Sequence, residues 1–206
     1  MSTVNLIKPP KKRSYRDLFV IRRRPYWRGI NLDWEPPKNE EEYQKLLEYE
    51  GFISNAFWQQ DDINQYPIIA QDIRDLEQHL LPTFFEFNQK SRYYQNQFYL
   101  YQWIFIFGAL LTTVVGILSA LAQADWGKTA LSIITALVGA ITAFYTAMSN
   151  RGEPQKRWGR TRRLAEELRT LYFKYLAHLP PFDQADRSQK LREAVIDIRV
   201  RERENG

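Results

Sequence analysis

The chain contains no cysteine, so it can form no disulfide and offers no thiolate to a metal. It has only two histidines, His79 and His178, too far apart in sequence for a paired metal-ligand motif. It also lacks a phosphate-binding glycine loop and a dinucleotide fingerprint. No catalytic, cofactor-binding or metal-binding residue emerges, and the chain is expected not to be an enzyme. No apolar h-region precedes the first long apolar run, so no secretory signal is expected. The most informative absence is local. Neither residues 103–122 nor residues 129–148 contain a single Asp, Glu, Lys, Arg or His.

Each of these runs is twenty residues long. At about 1.5 Å per residue, a helix of that length spans about 30 Å, the thickness of a bilayer's hydrocarbon core. The alternative is a buried hairpin inside a soluble helical domain, whose helices would carry a polar stripe and run shorter. Both runs are instead apolar all round. Trp103 at one end and Trp126 in the six-residue turn are placed as interface anchors, where amphipathic rings favour the headgroup region. The negative mean hydropathy of −0.50 reflects the residues outside the two runs. The expected fold class is an all-α membrane protein: a two-helix transmembrane hairpin with cytoplasmic helical extensions and a partly irregular basic N-terminal arm.

Flanking charge sets the expected orientation. The turn carries only Asp125 and Lys128, whereas Lys90 and Arg92 precede the first run and Arg151, Lys156, Arg157, Arg160, Arg162 and Arg163 follow the second. Basic residues collect on the cytoplasmic side, so both termini are expected in the cytoplasm.

Within the runs, small residues recur every fourth position. Gly108, Thr112, Gly116 and Ala120 form one stripe; Thr135, Gly139, Ala143 and Ala147 form another. Such stripes let helix backbones approach closely in lipid, within the hairpin and between copies. Thr112, Thr113, Ser119, Ser132, Thr135, Thr142 and Thr146 supply hydroxyls. These either line a hydrated path or bond a carbonyl one turn back. Two helices cannot enclose a pore, so conduction would require a homo-oligomer.

The rest of the chain divides into a basic arm (1–38), helices leading into the first run (39–100), the hairpin (101–149) and C-terminal helices (150–206). In the arm, LFVI (18–21) is compatible with a short strand. Asn39 reads as a helix N-cap ahead of Glu40, Glu41 and Glu42, and this helix is expected to reach about Gln59, with Gly51 a weak point. Pro67 suits the first turn of a second helix bearing the stripe Ile69, Ile73, Leu76 and Leu80, with a kink at Pro82. After the second run, Thr161, Ala165, Leu168, Tyr172, Tyr175 and Leu179 recur by three and four. The helix they define ends before Pro180-Pro181, and a last amphipathic helix from Asp186 or Ser188 presents Leu191, Val195 and Ile198. Asp61-Asp62 and Asp72/Asp75 suit either a divalent cation or a solvated acidic face.

Residues 1–30 carry nine Lys or Arg against one acid, and residues 31–62 nine acids against two lysines. A basic arm of this kind seeks anionic lipid, an acidic protein surface or nucleic acid; the last lacks any recognised binding pattern here. Membrane lipids, a second copy of the chain and a soluble protein engaging residues 1–62 are the expected partners.

The lead-in Arg92-Tyr93-Tyr94, the short-turn hairpin and the string Trp158-x3-Arg162-x2-Ala165-Glu166-x-Leu168 together carry a resemblance. From about residue 90 onward the chain resembles the bacterial SLATT family of two-span effectors, in the branch filed as domain of unknown function 4231. The resemblance implies a pore-forming or membrane-perturbing effector in antiphage defence or stress. The pattern's Trp158 would anchor at the headgroups, and Arg162 and Glu166 would pair along or between cytoplasmic helices. A rival from a different class is a non-conducting membrane scaffold that recruits a soluble partner through its N-terminal region.

Overall fold

A computed structural model describes residues 25–26, 29–53, 66–122 and 124–204. The segment 1–24, including the strand expected at 18–21, and the acidic pair Asp61-Asp62 lie outside them. Among the described residues the chain is all-helical, with six α-helices and no strand.

Asn39 occupies the N-cap of α1 (Glu40–Glu50) in extended conformation, although its side chain makes no capping bond. The helix stops at Glu50, well short of the expected Gln59. Gly51 adopts φ 79°, and the Phe52 N–H donates to the Leu47 carbonyl at 2.9 Å, closing a Schellman turn. Glycine enters this left-handed conformation without a Cβ penalty, which is why the weak point became the end.

Pro67 opens α2 (Pro67–His79), where its missing N–H costs nothing. Leu80 (φ −100°, ψ −50°) interrupts the path just ahead of Pro82, and α3 (Leu81–Leu121) then runs for 41 residues, about 60 Å. The chain turns at 122–124 and returns through α4 (Asp125–Gly152) and α5 (Pro154–Leu176). A single residue, Glu153, joins these two helices at φ 42°, ψ 47°. Finally, α6 (Arg187–Glu204) folds back against α5, α2 and α3.

The long helices divide the molecule into two unlike halves. Below the apolar runs, Leu47, Phe52, Leu76, Phe84, Phe87, Leu168, Tyr172, Tyr175, Phe182 and Leu191 belong to one buried core built from α1, α2, α3, α5, the α5–α6 loop and α6. Leu76 and Leu80 of the stripe expected on α2, Ala165, Leu168, Tyr172 and Tyr175 of that on α5, and Leu191, Val195 and Ile198 of α6 meet there; Ile73 is buried outside this cluster, Ile69 is half-buried, and Leu179, beyond the end of α5, is exposed. In the apolar half, the inner seam contains Gly108, Val115 and Ser119 of α3 and Leu131, Thr135, Val138, Thr142 and Tyr145 of α4, yet only Val115 is buried. Leu110, Ile117, Leu118, Ile133, Leu137, Ile141 and Phe144 all face outward.

Two helical stretches are thus long and apolar enough to cross a membrane, and only 6% of the most apolar window of one and none of the other is buried. A core hairpin of a soluble domain would be mostly buried, whereas within this chain the hairpin is almost wholly uncovered.

Polar groups pin the packed half together. Asp72, 1% exposed, receives Arg187 Nη2 at 2.7 Å and lies 2.8 Å from His178 Nε2, while Asp75 accepts the Tyr175 hydroxyl at 2.9 Å. The reading of Asp72 and Asp75 as either a cation site or a solvated acidic face is therefore corrected: they dock α2 onto α5 and onto the segment leading into α6. Arg201–Glu167 at 2.6 Å and Lys90–Glu202 at 3.3 Å clamp α6 to α5 and α3.

Burial also raises the phenols of Tyr43 and Tyr175, with Glu77 adding to the first and the hydrogen bond to Asp75 to the second. It pushes Tyr172 up to about 12. An unfolded tyrosine titrates near pH 10. The fold therefore favours the neutral phenols, a stabilisation fully present below about pH 10 and lost as pH rises through the folded values. Alkaline titration should unfold this half between about pH 10 and 12. Part of the tyrosinate absorbance should then appear only with the loss of helicity; smooth titration of every tyrosine near pH 10 would contradict this.

Candidate functional site

Five threonine hydroxyls of the apolar half are accounted for locally. Thr112, Thr113, Thr135, Thr142 and Thr146 each donate to the carbonyl four residues back, at 2.8 to 2.9 Å. In an apolar environment this bond satisfies the hydroxyl without a partner helix.

The glycines differ in what surrounds them. A Cβ built on Gly108 would stand 2.5 Å from Thr142 Oγ1, so the absence of a side chain there lets α3 and α4 touch. Around Gly116 and Gly139 a Cβ would meet nothing within 4 Å. The structure thus brings Gly108, Ser119, Thr135 and Thr142 into the seam, leaves Thr112, Gly139, Ala143 and Thr146 on the outer surface, and sets Gly116 on an open groove between the helices beside Ser119, Ser132 and Thr135. Trp126 is exposed at the hairpin tip, and Trp103 stacks on Phe107 with 5.0 Å between ring centroids.

Trp158 is placed differently from a simple anchor. It packs between α5 and α3, 6.0 Å from the Phe98 ring and 6.2 Å from Tyr99, and it lines a large polar cavity below the apolar half. The volume is about 1050 Å³. Its walls come from α1 (Tyr49, Glu50), α3 (Asn88, Arg92, Asn96) and α5 (Arg162, Arg169), with Tyr26, Gly29 and Ile30 across one side. Asn96 holds that last segment by a two-point amide clamp. The Tyr26 N–H donates to Asn96 Oδ1 at 2.7 Å, and Asn96 Nδ2 donates to the Tyr26 carbonyl at 3.2 Å. About two turns lower, Gln89 Nε2 donates to the Asn31 carbonyl at 2.8 Å.

Glu50 anchors the cavity. Its side chain is 7% exposed; Oε1 accepts from Arg92 Nη2 and Asn88 Nδ2, both at 2.8 Å, and Oε2 accepts from Arg169 Nη2 at 3.0 Å. Arg162 pairs with Glu166 on its own helix and reaches Asn88 Oδ1 of α3 at 3.5 Å, so this pair faces α3 within one chain. Glu166 is also approached by Arg169 at 3.3 Å.

Sequence reasoning singled out Arg162, Glu166 and Trp158, read Arg92 only as a flanking charge and part of the lead-in string, and passed over Glu50, Asn88, Asn96 and Arg169. One signal was available: Asn88, Arg92, Gln95 or Asn96, and Tyr99 recur by three and four on α3. This polar stripe lies beside the apolar one on the same helix.

Comparison with known proteins adds one family. A family model described as "Protein of unknown function (DUF4231)" matches residues 86–190, just over half of the 206-residue chain. The match covers the lower part of α3, the hairpin, α5 and the start of α6. No curated protein and no solved structure matches.

Proposed function

Because the chain belongs to the DUF4231 family, whose function is unknown, its role must be read from its own geometry, and we propose a homo-oligomeric, pore-forming or membrane-perturbing effector. It would sit in a bacterial inner membrane with both termini in the cytoplasm and act in defence or stress, as the SLATT-like resemblance implies. The single observation behind this reading is the contrast between the two halves: a packed core below, and above it a long apolar hairpin whose side chains remain exposed. Lipid is the solvent that makes such a surface favourable.

Sidedness follows from six basic residues between Arg151 and Arg163 at the packed end, against Lys128 alone at the tip. A second copy would pack on the open small-residue surfaces. Gly108 is already covered by Thr142, so contact between copies falls to Gly116 and to Gly139 with Ala143.

Induced expression in bacteria loaded with a membrane-potential dye tests the reading. Wild type should depolarise cells and slow growth. Gly139→Leu should abolish both effects while the protein still accumulates in the membrane fraction, since a side chain there meets nothing within its own hairpin. Unchanged potential at high expression of wild type would overturn the effector and leave the scaffold. A soluble protein retained stoichiometrically by the full chain in nanodiscs would then support that rival.

A further inference from the structure

We infer that the cavity between α1, α3 and α5 binds an organic phosphate, which Arg92 and Arg162 would grip while the surrounding aromatic rings pack on its organic part. This goes beyond the effector reading and does not depend on conduction.

Composition of the walls excludes an apolar ligand. Asn88, Gln89, Ser91, Gln95 and Asn96 provide amide and hydroxyl groups along α3, and three guanidiniums converge from two helices. Glu50 and Glu166 answer these three cations with two carboxylates, and Arg157, over the Tyr94 ring, adds another positive charge nearby. A guanidinium has five N–H donors in a planar fork suited to phosphate oxygens. Arg92 uses one of them on Glu50, and Arg162 spends its bonds on Glu166 and a long contact to Asn88. The side chains of Arg92 and Arg162 are 41% and 47% exposed, so both can reach an incoming anion. Arg169 lies deeper, with its Nη2 on Glu50 and its guanidinium over the Phe52 and Phe84 rings.

Size and shape fit an organic ester better than a bare ion. The volume far exceeds that of a phosphate and suits a small organic ligand. Tyr26, Tyr49, Tyr99 and Trp158 offer ring faces around it, and the Asn96 clamp holds the wall that carries Tyr26.

Two sources share this chemistry. The upper rim, Tyr99 and Trp158, lies only about 6 Å along α3 from Trp103, where the first apolar run begins, so a phospholipid headgroup could enter from the side. A free organic phosphate could enter from below.

The test uses the full chain in nanodiscs of phosphatidylcholine. In one arm, ATP is titrated as a soluble probe and followed by calorimetry. In the other, phosphatidylglycerol is added to the lipid and its retention is read by native mass spectrometry. Binding in either arm supports the site and identifies its source, provided that Arg162→Gln weakens it about tenfold or more, the loss of one charge-assisted contact. Tyr49→Glu, an exposed change that sets a carboxylate beside Arg92, should weaken it as well. Melting of both variants should stay close to wild type. Saturable binding in neither arm, or binding that both folded variants retain at full strength, would overturn the inference.

Discussion

Replacing Glu50 by alanine is expected to lower the unfolding free energy in detergent by about 3 kcal/mol, the cost of stripping a buried carboxylate from the cations that surround it. Glu50 is the last residue of α1, where the negative end of the helix dipole disfavours an acid. In an isolated helix its removal would therefore be neutral or mildly favourable. Any loss reports the tertiary hub: Arg92 from α3, Arg169 from α5 and the Asn88 amide, all within 3.0 Å. Both arginines keep some contact with water, which holds the cost at the lower end of the range for buried pairs. Glu50→Gln should fall between wild type and alanine, because its amide can accept from one guanidinium but presents N–H groups to the other.

Glu41 provides the internal control. Its pair with Lys45 is as short, at 2.6 Å, but both side chains are largely exposed, so Glu41→Ala should stay within about 0.5 kcal/mol. Denaturant unfolding followed by circular dichroism measures all three variants. A Glu50→Ala protein as stable as the Glu41→Ala protein would remove Glu50 from the hub and leave the docking of α1 to its apolar contacts.

Gly108→Leu should cost the hairpin about 2 kcal/mol, through overpacking at a glycine where α3 and α4 have no room for a side chain. The new Cβ would meet Thr142 Oγ1 at 2.5 Å. That oxygen is held by its own bond to the Val138 carbonyl at 2.8 Å, and rotating it away leaves both groups unsatisfied in an apolar setting. The helices must separate instead, forfeiting contact along the seam. Gly116→Leu and Gly139→Leu have no such neighbour and should leave the hairpin as stable as wild type or slightly more so, since leucine favours a helix over glycine. Loss of helicity on titration with a harsh detergent compares the three. Equal sensitivity of all three variants would refute a seam centred on Gly108. The same series separates hairpin stability from assembly, because of the three only Gly116 and Gly139 lie open to a prospective second copy.

Much of the helical framework was legible because its signals are local. Pro67 starts a helix because a first-turn residue needs no N–H; Leu191, Val195 and Ile198 share a face because their spacing matches one helical turn. Gly51 was noticed as a weak point, yet whether the chain would bend there depended on Phe52, which is buried against Phe84 and Tyr172 once the turn is made. The candidate site was only half legible. Trp158 and Arg162 belong to a recurring string, whereas Glu50 lies 119 residues from Arg169 and Asp72 is 106 residues from His178. Nothing in the immediate surroundings of an acid tells a solvated carboxylate from a buried one.

The sequence by itself determined the helical class of the described residues, where the two long apolar runs lie and which faces of the outer helices must be covered. Hydrophobic periodicity and the glycine and proline breaks act over a few residues and need no partner to be read. Tertiary structure alone decided which small residues touch, which acids are buried and that three helices leave a polar cavity between them. Those outcomes depend on how α1, α3 and α5 dock, and the free energy of an ion pair or a close contact is fixed by the water that docking removes.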